Sequence, residues 1–188
     1  MNPTFTIYTG PMFGSKTTRL LGEIDRLQYK KKNVLIVKPR IDKRYSQIKI
    51  TSHNGGSVNA EAVSNAVEIY ELLEENTYTH IAVDEAFMID EIDDVLISLF
   101  KKGFSIIIST IQLDAEERPF ENIKNMLPWA TKIEICPAVC TMCDQDAYYT
   151  EALFDINNAT AEERVGSYGM YEPRCAKHYT AFKIKSHI

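Results

Sequence analysis

This sequence lacks long apolar runs and an excess of basic residues. No stretch reaches the roughly 18 consecutive apolar residues of a membrane-spanning helix, so no membrane span is expected. Lysines and arginines number 21 against 26 aspartates and glutamates. The resulting net charge of −5 gives no electrostatic footprint for nucleic acid. The N-terminal "MNPTFTIYTG" has neither the basic nor the apolar region of a signal peptide, so we do not expect secretion.

Cysteine is absent before Cys136, and all four cysteines lie in the C-terminal third. Without a secretion signal, a metal site is expected rather than disulfides. "CTMC" and "CAKH" suit a tetrahedral zinc site of three thiolates and one imidazole, formed by Cys140, Cys143, Cys175 and His178. Four protein ligands would leave no position for water, so the zinc would be structural. The alternative is a set of reduced cysteines with a chance histidine; Cys136 is left over.

Strand-like and helix-like segments alternate over residues 5–135. The predicted strands are "TFTIYT", "NVLIVKP", "HIAVDEA", "FSIIIST" and "TKIEI"; the predicted helices are Thr17 to about Lys31, Asn65 to Asn76, "IDEIDDVLISLFKKG", and "PFENIKNMLPWA", ended by Pro128. This order predicts an α/β fold with a mostly parallel sheet and helices on both faces. After Cys136 the pattern becomes short, polar and turn-rich. We therefore divide the chain into a nucleotide-binding domain, 1–135, and a small zinc-binding module, 136–188.

The segment "TIYTGPMFGSKTTRLL" is almost a phosphate-binding loop. Gly10, Lys16 and Thr17 fit G-x-x-x-x-G-K-[ST], but Ser15 stands where the second glycine belongs, and the glycine is Gly14. The preceding strand and following helix provide the context in which loop amides face phosphates. Lys16 would reach the β- and γ-phosphates, and the Thr17 hydroxyl would ligate Mg²⁺. If position 15 needs a positive φ, Ser15 costs on the order of 1–2 kcal/mol. The alternative is a Gly-Pro turn before an ordinary helix.

Two acids, Asp84 and Glu85, end the predicted strand "HIAVDEA". Ligands of open α/β sheets bind outside the carboxyl ends of the strands. In an extended strand the two side chains would point to opposite faces, so one could serve the metal while the other accepts a hydroxyl proton. The alternative is a solvated strand end before an acidic helix start.

Several segments, in order along the chain, resemble motifs of the zinc-containing, type II thymidine kinases. They are "GPMFGSKTT", "KPRIDKRYS", "SHNGG", "DEAFMID", "RPFENI", "AVCTMCDQDAYYT" and "VGSYGMYEPRC". The resemblance implies a recombinase-like phosphate-loop fold and transfer of the γ-phosphoryl of ATP, with Mg²⁺, to the 5′-hydroxyl of thymidine or a related deoxynucleoside. It also implies a cytoplasmic homotetramer acting in nucleoside salvage, with small-molecule substrates and neither nucleic acid nor membrane as partner.

The resemblance also implies roles for individual residues. Glu85 would be the catalytic base. ATP and its metal would contact Gly10, Pro11, Met12, Phe13, Gly14, Ser15, Lys16, Thr17, Thr18, Asp84, Ala86 and Phe87. The nucleoside would contact Met12, Asp42, Arg44, Phe120, Thr150, Val165, Gly166, Ser167, Tyr168 and Tyr171, where residues from about 164 to 174 form a loop that covers the base.

The chain departs from the family pattern at three positions. They are Ser15 in the loop, Phe87 where the family has glutamine, and Ala115 where the family has an aromatic that stacks on the base. These departures keep open a nucleotide-binding, kinase-like protein with weak or no turnover that acts as a regulatory or sequestering module. A recombinase-like ATPase working on DNA is a third reading, and the acidic charge and the base-covering loop argue against it.

Overall fold

The fold was analysed in a computed structural model that describes residues 2–42, 48–52, 55–114, 117–154 and 169–180. Its centre is a six-stranded sheet in which every pairing is parallel. The strands, in spatial order, are β5 (Glu61–Val63), β2 (Val34–Pro39), β6 (His80–Val83), β7 (Ser105–Ser109), β1 (Phe5–Thr9) and β8 (Lys132–Ile135). The predicted α/β class is confirmed. The edge strand β5 was not predicted, because its three residues follow a turn-rich segment and are too short to give a periodic signal.

Helices cover both faces of the sheet, as predicted. On one face lies α1 (Lys16–Tyr29), whose Leu20, Ile24 and Leu27 pack against the sheet. The other face carries α2 (Glu68–Glu74), α3 (Ile92–Lys101) and α4 (Glu121–Met126). Alternating side chains of β7 serve both cores: Ile107 faces α1, and Ile106 and Ile108 face the other helices. These two apolar layers hold the carboxyl edge of the sheet in place.

The predicted start of α2 and the predicted end of α4 differ from the structure for local reasons, and α3 begins at Ile92 rather than Ile89. α2 begins at Glu68 rather than Asn65, because side chains bond the backbone of the preceding turn. The Asn65 Oδ1 atom accepts from the Val67 amide at 3.0 Å, and the Glu68 Oε1 atom accepts from the Ser64 amide at 2.9 Å. Pro128 does not end α4 directly but lies inside a 3₁₀ turn, Leu127–Trp129. Gly103, the last residue of the predicted helical segment, lies just beyond the end of α3 and has φ +98°, as is common after a helix.

Short antiparallel pairs complete the described fold. β3 (Lys49–Thr51) pairs with β4 (Ser57–Asn59), and β9 (Ala138–Val139) pairs with β10 (Asp146–Ala147). β11 (Tyr149–Ala152) pairs with β12 (Tyr171–Arg174) and brings the two ends of the C-terminal segment together. Among the described residues, no helix is both long and apolar enough to cross a bilayer. The division of the chain at residue 136 stays a prediction.

Candidate active site

Four neighbouring strands bring the predicted site residues to one edge of the sheet. β2, β6, β7 and β1 are consecutive in the sheet and parallel, so their carboxyl ends meet. Asp42 follows β2, Asp84 follows β6, Ser109 ends β7, and the loop from Gly10 follows β1. Asp42, Asp84 and Ser109 are all buried. The edge therefore gathers a polar cluster around one end of the loop, as the carboxyl-edge rule for open α/β sheets predicts.

The loop between β1 and α1 has a phosphate-loop-like backbone. Phe13 and Ser15 both have left-handed conformations, with φ of 65° and 58°, and Gly10 has φ 140°. The condition stated for Ser15 is thus met: position 15 has a positive φ, and a serine there is strained. α1 begins immediately afterwards, with no side-chain cap on Ser15 and no acid in the first turn. The amides at its N-terminus can therefore donate hydrogen bonds to a bound anion.

Close packing, rather than a positive φ, is what requires glycine at position 14. Its φ is not positive, but a Cβ there would lie 2.4 Å from the backbone oxygen of Cys136. A Cβ on Gly10 would lie 2.2 Å from the same oxygen. The loop thus packs backbone to backbone against the residue that follows β8. Cys136, unassigned by sequence, contributes this packing surface through its carbonyl group.

Lys16 is 7 % exposed and donates from Nζ to the Pro11 carbonyl at 2.6 Å. The lysine side chain is therefore folded back over the loop that would bind the phosphates. A buried ammonium is unfavourable without charged or strong polar partners. The position suits a lysine whose ammonium group leaves the Pro11 carbonyl and binds phosphate oxygens when ATP is present.

Asp84 is the acceptor of a hydroxyl network. The Thr17 hydroxyl donates to Oδ1 and Oδ2 of Asp84 at 3.1 and 3.3 Å, and the Ser109 hydroxyl also donates to Oδ1. Burial raises the pKa of Asp84 to about 6, and the negative charges of Glu85 and Asp42 add to the rise. The hydroxyl donors oppose the rise but do not cancel it. A bound cation would stabilise the ionised form of this buried carboxyl group.

Thr17 and Asp84 fit a shared Mg²⁺ ion. Adjacent oxygens around octahedral Mg²⁺, at 2.0–2.1 Å from the metal, lie about 2.9 Å apart. The two side chains already approach that separation. The donors are a hydroxyl and a carboxylate, which are the hard oxygen ligands that Mg²⁺ prefers.

Glu85 does not extend β6, contrary to the sequence-based expectation. The strand ends at Val83, and Glu85 adopts a left-handed backbone, φ 51° and ψ 45°, before a 3₁₀ turn at Ala86–Met88. The reason is local: the turn closes with the Met88 amide bonded to the Glu85 carbonyl at 3.0 Å. The Glu85 amide donates to the Ser109 hydroxyl at 3.4 Å. Glu85 is partly exposed whereas Asp84 is buried, so the two acids differ in solvent access rather than in strand face.

The predicted nucleoside residues are brought together in part. The Met12 amide donates to the Thr150 hydroxyl at 3.1 Å. In the β11–β12 pair, Thr150 lies opposite Pro173 and Ala152 opposite Tyr171, so Thr150 and Tyr171 share one face. Both are buried. Arg44, Ala115, Val165, Gly166, Ser167 and Tyr168 lie outside the described residues.

Beside Thr150 is a shallow cleft between the loop and the C-terminal segment. Its walls are Gly10, Pro11, Gln112, Leu113, Asp114, Tyr148, Tyr149, Thr150 and Tyr179. Tyr149 and Tyr179 are stacked, with ring centroids 5.0 Å apart. Burial, followed by nearby negative charges, raises the pKa of Tyr179 to about 12, so its hydroxyl stays neutral.

Phe87 and Phe120 form an aromatic pair, with centroids 4.7 Å apart and planes inclined at 52°. Both rings pack against the core that contains Ala86. The side chain that replaces the family's glutamine therefore has an apolar neighbour. Phe87 is therefore packed against Phe120 and the core.

Cys140, Cys143, Cys175 and His178 form one compact cluster, as the spacing predicted. Their ligand atoms all lie within 4.8 Å of one another. The Sγ atoms of Cys143 and Cys175 are 3.7 Å apart, and His178 Nδ1 lies 3.7 Å from Cys140 Sγ and 3.4 Å from Cys175 Sγ. A tetrahedron with Zn–S of 2.3 Å has edges of about 3.7 Å, so this donor set fits zinc.

The surroundings of Cys140 favour its thiolate form. Burial alone would raise the pKa of the Cys140 thiol. Hydrogen bonds from the backbone at Cys175 and Met142, and from His178, outweigh burial and lower this pKa to about 6. The thiolate is the form that binds zinc.

Two contributors were not found by sequence reasoning. Ser109 carries a signal that could have revealed it, since it ends a buried strand on the same edge as Asp84. Cys136 carries none, since its role is played by a backbone oxygen.

The fold and site together define a nucleotide-binding α/β protein of the phosphate-loop class with a Cys₃His metal cluster. Residues 4–179 match the family described as thymidine kinase. A thymidine kinase of Mycoplasma genitalium is 34% identical over 183 residues, which cover 97% of this chain and 85% of that protein. The chain therefore belongs to the thymidine kinase family, and it is an ATP-dependent transferase.

Proposed function

We propose that the protein transfers the γ-phosphoryl group of ATP to the 5′-hydroxyl of thymidine or a closely related deoxynucleoside. The observation that carries this proposal is the network of Thr17, Asp84 and Ser109 beside Glu85. It joins the start of α1 to the ends of β6 and β7. A loop, a metal-binding carboxylate and a second, accessible acid are the parts that phosphoryl transfer to a hydroxyl requires.

The phosphates would be held by the loop from Gly10 to Thr18. Its amides and the N-terminus of α1 supply donors, and Lys16 would leave the Pro11 carbonyl for the β- and γ-phosphate oxygens. Thr17 and Asp84 would hold Mg²⁺, which neutralises charge on these phosphates. Phosphoryl transfer depends mainly on such positioning and charge stabilisation.

Glu85 would orient the nucleoside 5′-hydroxyl and accept its proton. Glu85 is partly exposed, whereas Asp84 is buried and accepts hydrogen bonds from Thr17 and Ser109. The left-handed turn at Glu85 turns the chain away from the strand direction. Ala86 and Phe87, in the following turn, would lie beside the bound nucleotide.

The nucleoside would occupy the region between the loop and the β11–β12 pair. Met12, Thr150 and Tyr171 would supply one wall, since the Met12 amide bonds the Thr150 hydroxyl and Thr150 shares a face with Tyr171. Asp42, which is buried after β2, and Phe120, which packs on Phe87, would line the other side. Arg44 and residues 165–168 would complete the pocket in the same roles that the family resemblance implies. With Ala115 in place of a stacking aromatic, the preferred base need not be thymine.

Two further features are proposals. β8 is an edge strand whose Ile133 and Ile135 are 47 % and 54 % exposed, which supports an oligomer. A tetramer is favoured because the family resemblance implies it. A cytoplasmic location is supported by thiols arranged for a metal rather than for disulfides. Light scattering on the purified protein tests the first.

The test of the function is a panel of nucleosides incubated with Mg-ATP, with phosphorylated product identified by mass. Formation of a nucleoside 5′-monophosphate supports the proposal, and the most rapidly consumed nucleoside defines the base. The second candidate, a nucleotide-binding protein with weak turnover, is favoured by the strained Ser15 and by Phe87. ATP binding in calorimetry without product from any nucleoside would establish that candidate instead.

A further inference from the structure

The loop residue Phe13 packs against a hydrophobic cluster that includes two of the predicted metal ligands, Cys140 and Cys175. Phe13 and Cys143 both pack against the group of buried residues formed by Ala138, Cys140, Ala147 and Cys175. Three of the four predicted zinc ligands therefore share a hydrophobic cluster with a residue of the phosphate-binding loop. No feature of the phosphate chemistry requires an aromatic residue at this position.

Two other contacts join the same loop to the same module. The Met12 amide donates to the Thr150 hydroxyl at 3.1 Å, and Gly14 packs its backbone against the Cys136 carbonyl. Phe13 thus lies between two residues that are themselves fixed to the segment after β8. The segment after β8 therefore supports the loop at Met12, Phe13 and Gly14.

The backbone of Phe13 is strained. Its φ of 65° lies in the left-handed region, which is unfavourable for a non-glycine residue. Such a conformation persists only where surrounding packing holds it. Part of the packing that holds it here is the hydrophobic cluster that contains Cys140 and Cys175.

We propose that Phe13 is a positioning residue that couples occupancy of the zinc site to the conformation of the phosphate loop, so that zinc and ATP bind cooperatively. Zinc would fix the relative positions of Cys140, Cys143 and Cys175, and these positions define the surface under the ring. Without the metal this surface is free to rearrange, and Phe13 loses the part of its support that the surface supplies. The inference rests on the proposed role of the loop in binding ATP.

Coupling of this kind is reciprocal: the factor by which zinc strengthens ATP binding equals the factor by which ATP strengthens zinc binding. Two equilibrium measurements therefore test it independently of turnover. One is ATP affinity by calorimetry for zinc-loaded and zinc-depleted protein. The other is zinc affinity by competition with a zinc-selective chromophoric chelator, with and without Mg-ATP.

Three variants sharpen the test. Phe13→Ala removes the ring, Phe13→Leu keeps an apolar side chain of intermediate size, and Phe104→Ala truncates a phenylalanine that packs against the core on the other face of the sheet. In the wild type we expect a factor of at least about five in both measurements. In Phe13→Ala the factor should approach one, and the KM for ATP should rise by more than kcat falls. Phe13→Leu should be intermediate, and Phe104→Ala should keep the wild-type coupling.

Each outcome decides the matter. If the wild type binds ATP equally well with and without zinc, or if Phe13→Ala retains the full coupling, the proposal is overturned while the proposed function stands. If the wild type binds no ATP at all, the proposed function fails and the coupling fails with it. If Phe13→Ala does not fold, Phe13→Leu and the wild-type measurements still decide between the outcomes.

Discussion

The Thr17 hydroxyl donates to the Asp84 carboxylate at 3.1 Å, and this bond joins the first turn of α1 to the end of β6. The two residues are 67 positions apart in the chain. Their contact depends on β1 and β6 ending at the same edge of the sheet. A hydroxyl and a carboxylate at this separation can serve as neighbouring ligands of one Mg²⁺ ion. The predictions that follow start from this edge.

Asp84→Asn should stabilise the metal-free protein while weakening Mg-ATP binding. Burial raises the pKa of Asp84 to about 6 from an ordinary 3.8, so the folded state holds this proton more tightly than the unfolded chain. Ionised Asp84 therefore destabilises the fold above pH 6, and the destabilisation is relieved as pH falls from about 6 towards 4. An amide oxygen can still accept from Thr17 and Ser109.

The measurement is thermal unfolding at pH 8 and pH 4 in the absence of Mg²⁺. At pH 8 the variant should melt a few degrees higher, since about 1 kcal/mol corresponds to 2–4 °C in a chain of this length. At pH 4 the difference should largely disappear. A variant that melts lower than wild type at pH 8 would show that the ionised carboxylate stabilises the apo fold.

Glu85→Gln should retain the fold and ATP affinity but lose about 10²–10⁴ in turnover, the range for removal of a general base. Glutamine preserves the size of the side chain and its place in the left-handed turn. The matched control is Glu91→Gln, since Glu91 is also left-handed, with φ 58°, and precedes α3 as Glu85 precedes its own turn. Steady-state kinetics with the preferred nucleoside check the prediction. Equal turnover in both variants would remove Glu85 from its proposed role.

Features that depend on residue spacing or on long apolar patterns could be predicted from the sequence. The Cys₃His set is defined by two pairs of residues, and the central strands of the sheet are continuous apolar runs. The backbone at Glu85 could not be predicted, because a left-handed glutamate is stabilised by the following turn and not by its own preference. The packing of Gly10 and Gly14 on Cys136 was also hidden, because it depends on the tertiary position of a carbonyl group.

Cys175→Ser should abolish stoichiometric zinc, which we expect at about one equivalent per chain in the wild type. The cluster would lose a ligand that ends the β12 segment, so the C-terminal third should become labile to proteolysis. Cys136→Ala is the matched control, because this cysteine is buried but lies outside the cluster. Metal analysis and limited proteolysis read out the result. The predicted division at residue 136 requires that a protected fragment close to 1–135 remain after digestion.

Single substitutions at Gly14 and Ser15 separate two effects: the backbone strain at position 15 and the close packing at position 14. Ser15→Gly removes the strain of a left-handed serine, with φ 58°, and should tighten ATP binding by no more than about tenfold, or 1.4 kcal/mol. Gly14→Ser places a Cβ at 2.4 Å from the Cys136 oxygen, so the loop must move; the variant should melt lower and bind ATP more weakly than wild type. The double variant restores the family's order of residues, yet it should bind ATP less tightly than Ser15→Gly alone. Calorimetry on the three variants checks this ranking. If the double variant proves the tightest binder, close packing on Cys136 is not what requires glycine at position 14, and the loop is free to shift without cost.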